Sequence, residues 1–112
     1  MRDDQERLLD ILDAIERIEK YSGGGREMFE RDELVQVWSV HHVQVIGEAA
    51  SQLSAQTRDR LPQVPWRAII AMRNFVVHSY FKVDLDEVWG VIERDIPILK
   101  SQIESLLNSG ED

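Results

Sequence analysis

From Leu85 to Leu106 the apolar residues advance by alternating steps of four and three: Leu85, Trp89, Ile92, Ile96, Leu99, Ile103 and Leu106. Through three heptads that spacing holds one stripe of side chains on one side of a helix. It is incompatible with a strand, whose faces alternate every two residues. Asp84-Leu-Asp-Glu87 has the spacing of a capping box, which places the start of this helix at Asp84. Pro97 falls inside the seam and cannot donate to the Glu93 carbonyl, so a kink is expected there. The seam is expected to face the chain's own core rather than a second chain.

The rest of the chain also reads as helix. Leu8, Ile11, Leu12, Ile15 and Ile18 mark one face of a helix over 3–21, with acids in its early turns and Lys20 in its last. Ser22-Gly-Gly-Gly25 then breaks it, and because no Lys-Ser/Thr follows, the glycines read as a plain connector rather than a phosphate loop. A second helix is expected from about Glu27 to Leu53, with a break near Asp32, a competent N-cap. Its stripe is read as Leu34, Trp38, His41, Val45, Glu48 and Gln52, with Val35, Ile46, Ala49 and Leu53 alongside. Residues 59–64 read as a loop. Pro65 is suited to open a third helix over about 65–79. Trp66, Ile69, Ile70, Met72, Phe75, Val76 and Val77 make that helix apolar almost all round, which predicts a central position. No sustained two-residue alternation competes. The expected fold is all-α, an antiparallel up-and-down bundle of four main helices, forming a single domain over residues 1–112 with residues 108–112 as a flexible tail.

Length and composition limit the function classes. A compact chain of 112 residues has a radius of gyration of roughly 13 Å and holds one core. The longest uninterrupted apolar stretch in the second half, Ala68 to Met72, is far shorter than the ~20 residues of a membrane span. The N-terminal residues lack the apolar core of a secretory signal, and the chain is expected to be cytoplasmic. The absence of cysteine removes disulfides, thiolate metal sites and cysteine nucleophiles. A net charge of −8 argues against tight non-specific nucleic-acid binding. Yet between Arg58 and Lys82 five basic residues face a single acid, Asp59, so one stretch of an acidic protein is locally basic.

The residues richest in chemistry lie in that stretch, in Arg73-Asn-Phe-Val-Val-His78-Ser-Tyr80. On a helix Tyr80 returns to within about 20° of Arg73, while Asn74 and His78, four apart, share the neighbouring strip. Arg73 continues the Trp66–Ile70–Val77 stripe, so a buried guanidinium is expected, paired with Glu48 or with a bound phosphate. An Arg that holds an anion as charge grows at phosphorus and a His that moves a proton are the parts of a phosphodiester site. A buried Arg–Glu pair with a helix-capping His and a core Tyr accounts for the same residues without chemistry. His41 and His42 are adjacent and point about 100° apart on a helix, so they are not expected to chelate one ion; no metal is expected, and His41 reads as a satisfied core histidine.

The Arg73-x4-His78-x-Tyr80 string resembles the signature of the HEPN superfamily, and more closely its HepT-type toxin branch. Ile46-Gly-Glu-Ala49, Pro65-Trp66-Arg67, Arg73-Asn74, Val88-Trp89 and Ile96-Pro97 extend the resemblance over roughly residues 5 to 107. It implies a bundle of four to five helices that forms a homodimer with motif helices meeting near a shared cleft. Active members are metal-independent endoribonucleases that need no cofactor. Carried over by position, Arg73 would stabilise the scissile phosphate, His78 would act as general acid or base, and Asn74 would position the phosphate or the Arg. The resemblance also implies a partner, a small MNT-type nucleotidyltransferase antitoxin that adenylylates Tyr80, and RNA as substrate. The alternative is a non-catalytic module that binds nucleotide or docks the nucleotidyltransferase with the same residues.

Overall fold

A computed structural model describes residues 3–74 and 85–109, which are helical apart from short connections and contain no strand. The helices are α1 (Asp4–Ser22), α2 (Gly25–Arg31), α3 (Glu33–Ser51), α4 (Ala55–Asp59), α5 (Trp66–Ala71), α6 (Leu85–Gly90) and α7 (Ile96–Asn108). A 3₁₀ turn, Met72–Asn74, extends α5, and a π-helical turn, Val91–Asp95, joins α6 to α7. The radius of gyration is 13.9 Å, close to that expected of one compact domain.

Local chemistry explains where the helices start and stop. The Asp3 carboxylate accepts from Glu6 N–H at the head of α1, and Asp32 accepts from Leu34 and Val35 N–H at the head of α3. The break expected near Asp32 is therefore an N-cap. The triple glycine separates α1 from α2 as expected, and Gly25 adopts φ 86°, a left-handed conformation that a side chain would resist. The loop expected over 59–64 is found at 60–64, and just before it, in a stretch to which the sequence assigned no element, stands α4, a helix of 5 residues capped by Ser54, whose hydroxyl accepts from Thr57 N–H.

Two pairs of contacts fix the helix directions. Asp4, at the start of α1, accepts from Ser54 beyond the end of α3, whereas Trp38, early in α3, donates to the Arg17 carbonyl late in α1 at 2.6 Å. Helices α1 and α3 are thus antiparallel. Lys100, near the start of α7, pairs with Glu19 near the end of α1 at 3.0 Å, and Leu106 and Leu107 lie beside Asp4 and Leu8; α7 is antiparallel to α1 as well. Helices α1 and α3 share the centre of the core, with Ile11, Ile15 and Ile18 of the one and Val40, Val43 and Ile46 of the other all buried. The third helix, expected to be central, is described as far as Asn74, where it buries Ile69 and Met72 and leaves Arg67, Ala68 and Ala71 exposed; the rest of its expected span lies outside the described residues.

The α7 seam packs inward as its spacing predicts, with Trp89, Ile92, Ile96, Leu99 and Ile103 all buried. Where a kink was expected at Pro97, the structure has a π turn immediately upstream, Val91–Asp95. Ile96 N–H reaches back five residues to the Val91 carbonyl, and α7 then starts with Pro97 in its first turn, where the missing donor costs nothing. Asp84, the expected cap, lies outside the described residues.

Candidate active site

Arg73 and Asn74 end the described part of the third helix, on the 3₁₀ turn, and both are exposed. Their place is set by Gly47 in the middle of α3. A Cβ built on Gly47 would lie 2.5 Å from Arg73 N and 2.9 Å from Ile69 O, so the two helices cross backbone against backbone. Only a residue without a side chain allows that approach, because the obstructing atoms belong to main chain and cannot rotate away. The 3₁₀ tightening begins within this crossing, at Met72, whose side chain is buried. The crossing thus holds the Arg73 backbone against α3 while its side chain stands in solvent. Glu48, next to Gly47, is also exposed, and its carboxylate accepts from Gln52 Nε2 at 3.2 Å.

This arrangement corrects one expectation directly. Arg73 is not a buried guanidinium needing Glu48 to compensate it: both groups are solvated, and the buried Arg–Glu pair does not form. The stripe expected to bury α3 is also displaced. Val35, Ser39, Val40, His42, Val43, Ile46, Gly47 and Ala50 face the core, whereas Leu34, His41, Val45, Glu48 and Gln52 are exposed and Trp38 is half-buried. The core histidine is consequently His42 and not His41. His78 and Tyr80 lie outside the described residues; of the expected site the structure describes Arg73, Asn74 and Glu48, and it sets the Arg73 backbone against Gly47, the neighbour of Glu48.

Sequence reading took Gly47 only as part of a resemblance. The available signal was physical: a lone glycine inside an otherwise good helix costs about 1 kcal/mol relative to alanine and calls for a packing reason. Among the described residues no three His, Asp or Glu side chains come together in a way that could hold a metal ion. No described helix is long and apolar enough to cross a membrane.

Among the described residues His42 is the one titratable side chain in the core. It lies edge-on to Trp38, with ring centroids 4.6 Å apart. Burial pushes its pKa below the ordinary 6.5, His41 and Arg17 add to that, and Asp13 opposes it. The unfolded chain therefore takes up a proton near pH 6.5 that the folded chain refuses, so stability is complete above that pH and falls as pH drops through it. Melting temperature is expected to decline between pH 7.5 and 5.5, and the decline should be shallower in His42→Gln. An equal slope in both proteins would assign the effect elsewhere. Asp4 acts in a lower window. Hydrogen bonds from Ser54 and Thr57 depress its pKa below 3.8, and that contribution is lost only as pH falls through the folded value.

Comparison with known protein families matches residues 11–106 to the family described as ribonuclease HepT-like. The chain belongs to the ribonuclease HepT-like family. A protein of Thermococcus cleftensis named "Probable ribonuclease HepT" is 34% identical over 109 residues, covering 94% of this chain and 96% of that protein. A Caldanaerobacter subterraneus protein named as a "Putative RNase" is 33% identical over 90 residues, 80% of each chain. In Methanocaldococcus jannaschii a longer protein, named as a gamma-glutamylcyclotransferase and "putative RNase", is 34% identical over 98 residues; the match covers 87% of this chain but 44% of that one. No solved structure matches. The match spans the all-helical core and includes both sides of the crossing that positions Arg73.

Proposed function

We propose that this HepT-like chain is a metal-independent endoribonuclease, the toxin of a toxin–antitoxin pair, acting as a homodimer through Arg73 and His78. One observation carries the reading: within the family match, Arg73 stands solvated on a turn that main-chain packing against Gly47 holds in place. A fixed, exposed guanidinium suits a phosphodiester, since it can grip two phosphate oxygens and strengthen its hold as negative charge builds at phosphorus. In the reaction a ribose 2′-hydroxyl attacks the adjacent phosphorus, losing its proton to a base. The P–O5′ bond breaks, an acid protonates the departing 5′-oxygen, and a cyclic phosphate remains. Histidine is suited to either proton transfer near neutral pH, and two copies of His78 in one dimeric cleft supply both. Asn74, next to Arg73 on the same exposed turn, is assigned to orienting the phosphate or the guanidinium. The need for a 2′-hydroxyl selects RNA over DNA.

Neutralisation is assigned to Tyr80. Its phenolic oxygen would attack the α-phosphorus of ATP on a partner MNT-type nucleotidyltransferase, forming an O–P bond and releasing pyrophosphate. The added AMP places negative charge two residues from His78 and competes with RNA for Arg73. The test is cleavage of a mixed cellular RNA pool in EDTA, by protein whose intact mass shows no added AMP. Cyclic-phosphate ends are the expected product. A folded, unmodified chain that cleaves nothing overturns the ribonuclease reading in favour of the non-catalytic nucleotide-binding module.

Because Arg73 is exposed, its removal strands no buried charge. Arg73→Ala is expected to leave the melting temperature within about 0.5 kcal/mol of wild type in stability terms, while cleavage falls roughly 10²- to 10³-fold. A large melting shift would show that the guanidinium serves the fold.

A further inference from the structure

The exposed side of α5 carries a cation that has no part in the proposed cleavage step. Arg67, Ala71 and Asn74 follow one another at steps of four and three residues, so they share one face over two helical turns, with Ala68 beside them. All four are exposed, as is Arg73 on the flank of that face. Among the described residues no acid pairs with Arg67 or Arg73. The helix that bears them is held at both ends. At its head Trp66 Nε1 donates to the Arg58 and Leu61 carbonyls at 3.1 and 3.0 Å. At its foot the backbone rests on Gly47, with the Ile69 and Met72 side chains buried beneath. Arg67 therefore stands on a fixed frame in a set relation to the turn that presents Arg73. The two residues are about 10 Å apart along the axis, and the exposed residues between them, Ala68 and Ala71, are both alanine.

Charge and shape indicate what such a face receives. The chain carries a net charge of −8, yet no acid occurs between Asp59 and Asp84. Most of the surface repels phosphate, and a polyanion settles where the acids are missing. Two cations separated along a rigid helix match a ligand whose charges repeat, whereas a lone phosphate needs only one of them. The alanine methyl groups between them are short, so a sugar–phosphate strand can lie close against the helix. The Pro65-Trp66-Arg67 segment thereby gains a role beyond packing: Trp66 fixes the head of α5 and Arg67 projects from it.

We propose that Arg67 is a second phosphate contact for RNA, holding a phosphate that flanks the one at Arg73, so that the substrate strand runs along the exposed face of α5. This rests on the reading of Arg73 as the group at the scissile phosphate. Phosphate contacts set how a strand lies without reading its bases, so Arg67 is a substrate-binding residue and not a base-selecting one. The test is equilibrium binding, by fluorescence anisotropy over a salt series, of 2′-O-methyl strands of about ten nucleotides, one of uridine and one of adenosine. These strands lack the free 2′-hydroxyl that cleavage needs, so affinity is read without chemistry. Arg67→Ala is expected to weaken both strands alike, roughly 3- to 10-fold, and to reduce the slope of log affinity against log salt by about 0.7. Melting should not change, because Arg67 is exposed. Arg67→Lys keeps the charge and is expected to restore the slope and part of the affinity. Arg31→Ala, at an exposed arginine ending α2, removes the same charge elsewhere and is expected to bind like wild type. A wild type that binds neither strand overturns the proposal, as does Arg67→Ala binding with wild-type affinity and slope. Equal weakening by Arg31→Ala, or weakening confined to one strand, overturns it too. Binding that depends on Arg67 without any cleavage of RNA upholds the contact while the ribonuclease reading fails, so the two failures are distinguishable.

Discussion

His78→Ala is expected to cut cleavage of a mixed RNA pool in EDTA by roughly 10²- to 10⁴-fold, the usual worth of a positioned acid or base. The motif places His78 five residues after Arg73, and with metal ions removed by EDTA none can generate the nucleophile. A proton-transfer group must then do so, and the loss should be large. The measurement needs wild type and variant side by side, both free of AMP by intact mass, with the product ends identified. Undiminished cleavage by the variant would remove His78 from the chemistry and leave Arg73 to be tested alone. A residual rate with the same cyclic-phosphate ends is expected, because the Arg73 contribution survives.

The second large effect is at Gly47. Alanine is the better helix former by about 0.8–1 kcal/mol, so on propensity alone Gly47→Ala would stabilise α3. Packing decides the other way. The new methyl would sit 2.5 Å from Arg73 N and 2.9 Å from Ile69 O, and overpacking against atoms that cannot turn aside costs up to about 3 kcal/mol. A net loss of about 2 kcal/mol is expected, or roughly 8–16 °C in melting temperature for a domain of this size. The control is Gly23→Ala. There the added carbon meets only the Glu19 carbonyl at 3.9 Å, and φ is an ordinary −63°, so melting should be unchanged or higher. Activity carries a second readout. If Gly47→Ala remains folded at the assay temperature, Arg73 has been pushed off α3, and a displacement near 1 Å can cost about 10²-fold in rate. A Gly47→Ala protein that melts like wild type and cleaves like wild type would show that the crossing relaxes freely.

What was legible in the sequence follows from how sharply each segment contrasts its faces. The α7 seam and the α1 stripe stand against mostly polar residues on their other sides, so periodicity alone picked the buried face correctly. Asp32 and the triple glycine were legible because capping and helix breaking are local. Helix α3 was not: it is apolar at Leu34, Val35, Val37, Trp38, Val40, Val43, Val45, Ile46, Ala49 and Ala50, nearly all round, and the larger side chains drew the assignment. The structure turns its smaller residues inward, Ser39, Val40, Val43, Gly47 and Ala50, because its neighbours approach closely. Backbone proximity of that kind leaves no periodic trace. The same error buried Arg73 and paired it with Glu48. Helix α4, at 5 residues, is too short for any period to appear. Of the candidate site, the motif residues were legible as a string, whereas the crossing that holds Arg73 needed three dimensions.

The antiparallel stacking of α7 on α1 also dictates an order of assembly during synthesis. Ile11, Ile15 and Ile18 sit at the centre of the core, yet one side of their helix is closed by residues such as Lys100, which pairs with Glu19 across 81 positions of chain. While that last helix is still inside the ribosome, an α1–α3 hairpin can form but remains open along its flank, since contacts so distant in sequence form only after the intervening chain has emerged. The fold, and with it the turn that presents Arg73, is therefore completed only once α7 has emerged, and a nascent or truncated chain lacking α7 carries the motif without the structure that aims it.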